Sequence, residues 1–279
     1  MRLARLAADG HIFVGLIDGN DAVELTTDWV SALAAQVPGG PGIRSLESGR
    51  RWPLANCEFL KPLDTQSRGI FCIGLNYWEH ADEFSKKVGV GRANKPPIFL
   101  KLASSVLDPY KPIVINGNLS TEIDWEIELG VVLGRGGRFI PVDRVGSYVA
   151  GYTIIVDMTA RDLQREHGQW FIGKNSHELS PMGPWVVTVD ELGFPPVTTL
   201  SLSVNGVEKQ RSSSELMIVS ISDFISMTSE SIELQPGDVF ATGSPPGVGF
   251  TRNPPEFLTP GDVLEATIDG VGNLVHSVV

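Results

Sequence analysis

Hydrophobic and polar positions alternate from the first residues of the chain. Residues 2–7, 12–17 and 22–25 read as short strands, with Asp18-Gly19-Asn20 as a turn between the last two. A short helix is expected over residues 27–36, with Asp28 near its start. The cluster Pro38-Gly39-Gly40-Pro41-Gly42 then breaks the pattern, and the polar stretch from there to about residue 67 has no period. It reads as the boundary between a small N-terminal α/β module, residues 1–64, and a main domain over residues 65–279. From residue 70 the pattern is predominantly β. Strands are expected over residues 70–73, 98–101, 123–133, 148–156 and 239–242. Two more, 200–204 and 207–210, flank Asn205-Gly206, the strongest short-range hairpin signal in the chain. Helices are sparse, over residues 77–86, 160–167 and 222–229. Hairpins with few helices imply an α+β, β-rich fold with a mixed, largely antiparallel sheet, and no GxGxxG follows a strand.

Composition narrows the class. With 279 residues, 42% hydrophobic and 20% charged, the chain has ample material for one large core, with or without a small appendage. Its apolar runs, near about ten residues, are too short to span a bilayer. The N-terminus reaches Asp9 without the apolar stretch of a secretory signal, so a cytoplasmic location is expected. Cys57 and Cys72 make no disulfide framework and no CxxC metal motif. A net charge of −11 argues against nucleic acid or an anionic membrane as partner. An anionic substrate would have to be gripped by local cations, from Lys, Arg or a metal.

Candidate chemistry concentrates in a few segments. In Asp124-Trp125-Glu126-Ile127-Glu128-Leu129, read as one strand, Asp124, Glu126 and Glu128 share a face at about 7 Å spacing. Such acids repel one another when partly buried, and a divalent cation with all-oxygen ligation, Mg²⁺, Mn²⁺ or Ca²⁺, resolves the conflict. A solvated acidic edge strand would look the same. Asp157 ends the apolar run Tyr152-Thr153-Ile154-Ile155-Val156 and suits either the same metal or the cap of the next helix. On the helix after Gly74-Leu75-Asn76, His80 and Glu83 are neighbours, the arrangement of a general base or of a surface ion pair. Arg161, Gln164 and Lys174 form a third cluster, with Arg161 fit to grip a carboxylate in bidentate fashion. Ala241-Thr242-Gly243-Ser244-Pro245-Pro246-Gly247 is a turn able to meet an anion, but no nucleotide P-loop follows.

In this order the segments resemble the fumarylacetoacetate hydrolase superfamily, in its bacterial-type C-terminal domain, from about residue 61 to the end. The resemblance rests on Gly74-Leu75-Asn76-Tyr77 with His80 and Glu83, Pro97-Ile98-Phe99-Leu100-Lys101 and Asp124-Trp125-Glu126-Ile127-Glu128. It continues through Gly151-Tyr152-Thr153, Asp157, Ala160-Arg161-Asp162, Gly173-Lys174 and Gly183-Pro184-Trp185. Val204-Asn205-Gly206, Pro236-Gly237-Asp238 and Thr242-Gly243-Ser244-Pro245 complete it. Two positions depart from the pattern: Ser244 stands where threonine is usual, and Val156 where asparagine is frequent.

The resemblance implies a mixed β-sandwich roll, a homodimer, and one Mg²⁺ or Mn²⁺ per subunit on Glu126, Glu128 and Asp157, with Asp124 as support. It implies His80 and Glu83 as catalytic pair, Lys174 as catalytic and substrate-binding, and Arg161, Gln164, Thr242 and Ser244 as substrate contacts. The activity implied is hydrolysis of a C–C bond in a 1,3-diketo acid of the acylpyruvate or fumarylpyruvate kind, through a metal-stabilised enolate. Oxaloacetate decarboxylation or isomerisation of a 2-hydroxy-diene-dioate at the same site is the alternative, with sugar-acid hydrolysis or dehydration behind it. A phosphoester hydrolase would need a phosphate loop or second metal site, and neither is found. A binding protein without activity would lack a ligand or the base, and all are present.

Overall fold

The computed structural model describes residues 1–64, 66–89 and 96–279. The N-terminal alternation becomes an antiparallel meander of Arg2–Ala8, His11–Asp18 and Asp21–Leu25. The helix that follows, Trp29–Ala34, begins where Asp28 accepts the Ser31 amide at 2.9 Å. The unpatterned stretch after the Gly/Pro cluster holds two further strands, Glu47–Pro53 and Glu58–Leu60. Glu47–Pro53 lies at the sheet edge with Trp52 as its buried residue, so no apolar alternation marks it in the sequence.

One large mixed sheet organises the molecule. Its order is Glu47–Pro53, Asp21–Leu25, His11–Asp18, Arg2–Ala8, Ser180–Thr188, Val149–Val156, Ile127–Leu133, Val239–Ala241, Ile70–Ile73 and Ile98–Lys101. Pairing is antiparallel except between Val239–Ala241 and Ile70–Ile73 and where Val106–Leu107 joins Ser180–Thr188. Ser180–Thr188 carries no strand signal of its own, because Pro181, Gly183 and Pro184 interrupt it. It nevertheless sits mid-sheet, at a shift of register against Val149–Val156. A second sheet runs Val207–Ser213, Thr199–Val204, Val263–Ile268, Gly272–Ser277. Its first hairpin turns at Asn205-Gly206 with φ of 53° and 74°, the pair of positive angles a type I′ turn requires.

The two sheets share one apolar core. Ile127, Leu129 and Val131 meet Leu200, Leu202 and Leu264 there, while Val132, Ala150 and Ile155 point to a second core under the N-terminal helix. Burial on both faces explains why Ile127–Leu133 and Val149–Val156 read as nearly continuous apolar runs. A polar side chain at the end of such a strand is therefore held in a desolvated frame. Among the described residues, no helix is long and apolar enough to cross a membrane.

Candidate active site

The expected single strand over residues 123–133 is broken. Ile123–Asp124 pairs with Thr159–Ala160, and the chain re-enters the main sheet only at Ile127–Leu133. Strict alternation across Asp124, Glu126 and Glu128 is lost, and Asp124 is committed elsewhere. It accepts Arg161 Nε at 2.8 Å and the amides of Trp125, Gly249 and Phe250. Glu126, Glu128 and Asp157 converge instead, each offering an oxygen within 4.8 Å of the others. Asp157 is brought there by the end of Val149–Val156, and its amide donates to the Glu126 carbonyl at 2.8 Å.

All these acids are buried, and so are three cations, Lys101, Arg161 and Lys174. Lys174 Nζ contacts Glu126 and lies 2.5 Å from Asp157 Oδ2. Arg161 contacts Glu126 and lies 2.7 Å from Asp124. Lys101 reaches the other Asp157 oxygen at 2.8 Å. Burial alone would raise the Glu126 carboxyl, but the Arg161 and Lys174 charges outweigh it and hold it far below the usual range. Glu128 behaves oppositely: burial and the Asp157 charge push it well above. Among the described residues its hydrogen-bond donor is the Gly243 amide at 2.7 Å, and no cation forms an ion pair with it. A buried carboxylate with one donor, facing two other carboxylates, is a donor set short of one positive charge. Three such oxygens fit a hard divalent ion.

His80 reaches the same place from the helix Trp78–Val88, and Glu83, on that helix, lies outside the pocket lining. His80 is buried, Glu83 half-buried, with His80 Nδ1 4.0 Å from Glu83 Oε2. Burial works to raise the Glu83 carboxyl, but His80, the Gly247 amide and the Thr251 hydroxyl prevail and keep it below its ordinary value. One pocket is lined by His80, Glu126, Glu128, Asp157, Arg161, Gln164, Lys174 and Ser244. Thr242 is not among its lining residues; the Thr242 hydroxyl donates to the Leu129 carbonyl at 2.9 Å.

A model of the fumarylacetoacetate (FAA) hydrolase C-terminal domain matches residues 69–279. The chain belongs to the fumarylacetoacetate hydrolase family. It is 38% identical over 249 residues, 89% of this chain and 74% of the other, to oxaloacetate tautomerase Fahd2a, mitochondrial, of Rattus norvegicus. It is 37% identical over 283 residues to the 2,4-didehydro-3-deoxy-L-rhamnonate hydrolase of Sphingomonas sp. (strain SKA58), covering 98% of this chain and 94% of that one. The fumarylacetoacetate hydrolase (EaFAH) from psychrophilic Exiguobacterium antarcticum superposes with a TM-score of 0.85 at 30% identity, covering 100% of this chain and 99% of that chain.

Within this family frame, the structure adds residues that motif reading did not single out. Lys101 ends an otherwise apolar strand, and a lone charge in that position was the available signal. Its Nζ also donates to the carbonyls of Met158 and Lys174. Gln210 comes from the second sheet, accepting the Ile127 amide at 3.0 Å and donating to Ser244 Oγ at 2.8 Å. Its partners are distant in sequence, so nothing local marked it. Phe84, Phe99 and Trp170 wall the pocket, and beyond them a second cavity is lined by Phe84, Lys87, Arg165, Trp170 and Phe250.

Proposed function

We propose that this member of the family is a divalent-metal-dependent hydrolase that cleaves 2,4-diketo acids, the acylpyruvates, into a carboxylic acid and pyruvate. The observation that carries the reading is the convergence of His80, Arg161, Lys174 and the three-carboxylate cluster on one pocket, with Glu83 beside His80 on its helix. When held by Glu126, Glu128 and Asp157, a Mg²⁺ or Mn²⁺ ion supplies Lewis acidity toward the 2-keto oxygen.

The protein's own groups divide the remaining work. Arg161 is oriented by Asp124 and Glu126, with Nη1 donating to Gln164, and presents positive charge to the substrate carboxylate. Burial would lower the Lys174 ammonium, but Asp157 and Glu126 raise it, so Lys174 remains a donor and is not a base. Glu83 stays ionised beside His80, its Oε2 4.0 Å from Nδ1, and His80 is the group left to take a proton from water. The resulting hydroxide adds to the C4 carbonyl. Breaking the C3–C4 bond then leaves its electron pair on a pyruvate enolate, and the proton held by His80 returns to C3. The cavity beyond Phe84 and Trp170 receives the distal acyl group.

The name of the Sphingomonas relative describes a C2, C4-oxidised acid and its hydrolysis, which supports this reading over nearly the whole chain. A second reading, tautomerisation of oxaloacetate without attack by water, is favoured by the name of the rat relative. Both use the acidic C3 position of a 2-keto acid. The deciding assay follows acetylpyruvate, fumarylpyruvate and oxaloacetate with Mg²⁺ or Mn²⁺ and with chelator. Hydrolysis of a diketo acid that stops on chelation is expected, and His80→Gln should lower kcat about 10²- to 10⁴-fold while still binding Mn²⁺. Enol–keto exchange of oxaloacetate without diketo-acid cleavage would replace hydrolase by tautomerase. Turnover surviving complete metal removal would reject both.

A further inference from the structure

The turn over residues 247–251 is bonded to both halves of the site. On one side the Gly247 amide donates to Glu83 Oε2 at 3.1 Å, and the Thr251 hydroxyl lies 3.4 Å from the same oxygen. On the other side the Gly249 and Phe250 amides donate to Asp124 at 2.6 and 3.1 Å. Asp124 in turn receives Arg161 Nε at 2.8 Å. The Phe250 ring repeats the connection. Its centroid lies 5.5 Å from the Arg161 guanidinium carbon and 6.3 Å from the ring of Phe84, one helical turn after His80.

This link has little slack. A Cβ on Gly249 would sit 2.0 Å from the Glu256 carbonyl oxygen and 2.8 Å from Asp124 Oδ1. Asp124 is fully buried, and its oxygens are occupied by three amides and the guanidinium. Displacing the turn would leave several of these groups unpaired away from water, which is costly enough to hold one geometry. The Trp125 indole and Arg252 guanidinium, which both donate to the Gly247 carbonyl, fix the turn from outside.

We propose that Asp124 and Thr251 are positioning residues which, through the turn 247–251, fix the His80–Glu83 pair relative to Arg161. This rests on the reading of His80 and Glu83 as the base pair. Neither Asp124 nor Thr251 touches the reacting atoms; each acts through a neighbour. A base displaced by a fraction of an ångström loses rate without losing substrate, so the effect falls on kcat.

The test combines kinetics with histidine-labelled NMR of the full chain, the His80 ring signals being assigned by their loss in His80→Gln. Thr251→Val, which keeps shape and removes the hydroxyl, is expected to lower kcat about fivefold at unchanged KM, with Thr251→Ser restoring it. Asp124→Asn is expected to lower kcat about 10- to 100-fold and to raise KM as well, because Arg161 also loses its anchor. Both variants should shift the His80 signals, although Asp124 lies on the far side of the turn. Wild-type kcat and His80 signals in Thr251→Val would overturn the role of Thr251. Unmoved His80 signals in folded Asp124→Asn would reduce Asp124 to a partner of Arg161 and overturn the link. If no diketo acid is cleaved, the functional reading falls, and the His80 signals still decide whether the turn couples the two sides.

Discussion

Two ion-pair networks in this protein have nearly the same distances and opposite surroundings. At the N-terminal meander, Arg51 lies 2.6 Å from Asp18 and 3.4 Å from Asp21, with side-chain exposures of 49%, 61% and 40%. In the site, Arg161, Lys174 and Lys101 meet Asp124, Glu126 and Asp157 at comparable range, with every side chain 6% exposed or less. The surface network is closed: water and mobile ions answer any mismatch, and its contribution is small. In the site, four buried carboxyl groups (Asp124, Glu126, Glu128, Asp157) face three buried cations, which leaves one carboxyl without a cation of its own. Distance alone does not separate a decorative pair from a functional one; desolvation does.

Breaking the buried network should have the largest effect. Lys174→Met removes the ammonium between Glu126 and Asp157 while keeping most of the packing volume. Glu126 keeps Arg161 and Asp157 keeps Lys101, but removing one partner from a buried ion network costs up to about 3–5 kcal/mol. Urea unfolding of the metal-free variant should show a loss of that order, and activity should fall with it. Mn²⁺ should restore much of the lost stability, because it supplies positive charge to the same oxygens. A metal-free Lys174→Met protein as stable as wild type would mean that Glu126 and Asp157 do not bear the charge assigned to them.

Most of the fold was legible in the sequence; the surface network and the charge imbalance were not. Strands such as Val149–Val156 and the Asn205-Gly206 hairpin follow from local pattern and turn chemistry. Ser180–Thr188 does not, because its prolines hide a central strand that only tertiary pairing holds in place. At the site, period-two reasoning grouped Asp124 with Glu126 and Glu128. The break at Trp125-Glu126 instead gives Asp124 to Arg161 and brings in Asp157 from another strand. Motif resemblance named all three acids that converge, where periodicity supplied only two of them. Lys101 and Gln210 reach the site by pairings across the sheets, which no local spacing encodes.

Glu128→Gln sharpens the comparison from the other direction, with a smaller expected effect. Burial and Asp157 both disfavour the ionised Glu128 carboxyl. Replacing it by a neutral amide should therefore leave the metal-free protein as stable as wild type or more so, the opposite sign to Lys174→Met. The cost should be seen only with metal present. At a free Mn²⁺ concentration 100 times its dissociation constant, wild type gains about 2.7 kcal/mol of stability. Glu128→Gln should gain far less at the same concentration. Thermal unfolding with and without Mn²⁺ measures both quantities, and an undiminished Mn²⁺ gain would remove Glu128 from the ligand set.

The smallest effect is expected where the distances look most favourable. Asp18 is held below its ordinary carboxylate range by the Arg51 hydrogen bond and charge. A depressed folded value stabilises above the unfolded carboxylate range, and that contribution disappears as pH falls through the folded value. Arg51→Ala should therefore lose only what the pair supplies near neutral pH, and water competes for both ends of it. The urea midpoint at pH 7 should stay within measurement error of wild type, with any difference vanishing at high salt. Lys174→Met should keep its deficit in the same salt, because a mobile ion cannot enter the packed site without acting as the missing cation. Equal salt sensitivity of the two variants would mean that solvent reaches the buried cluster, and the contrast between the networks would collapse.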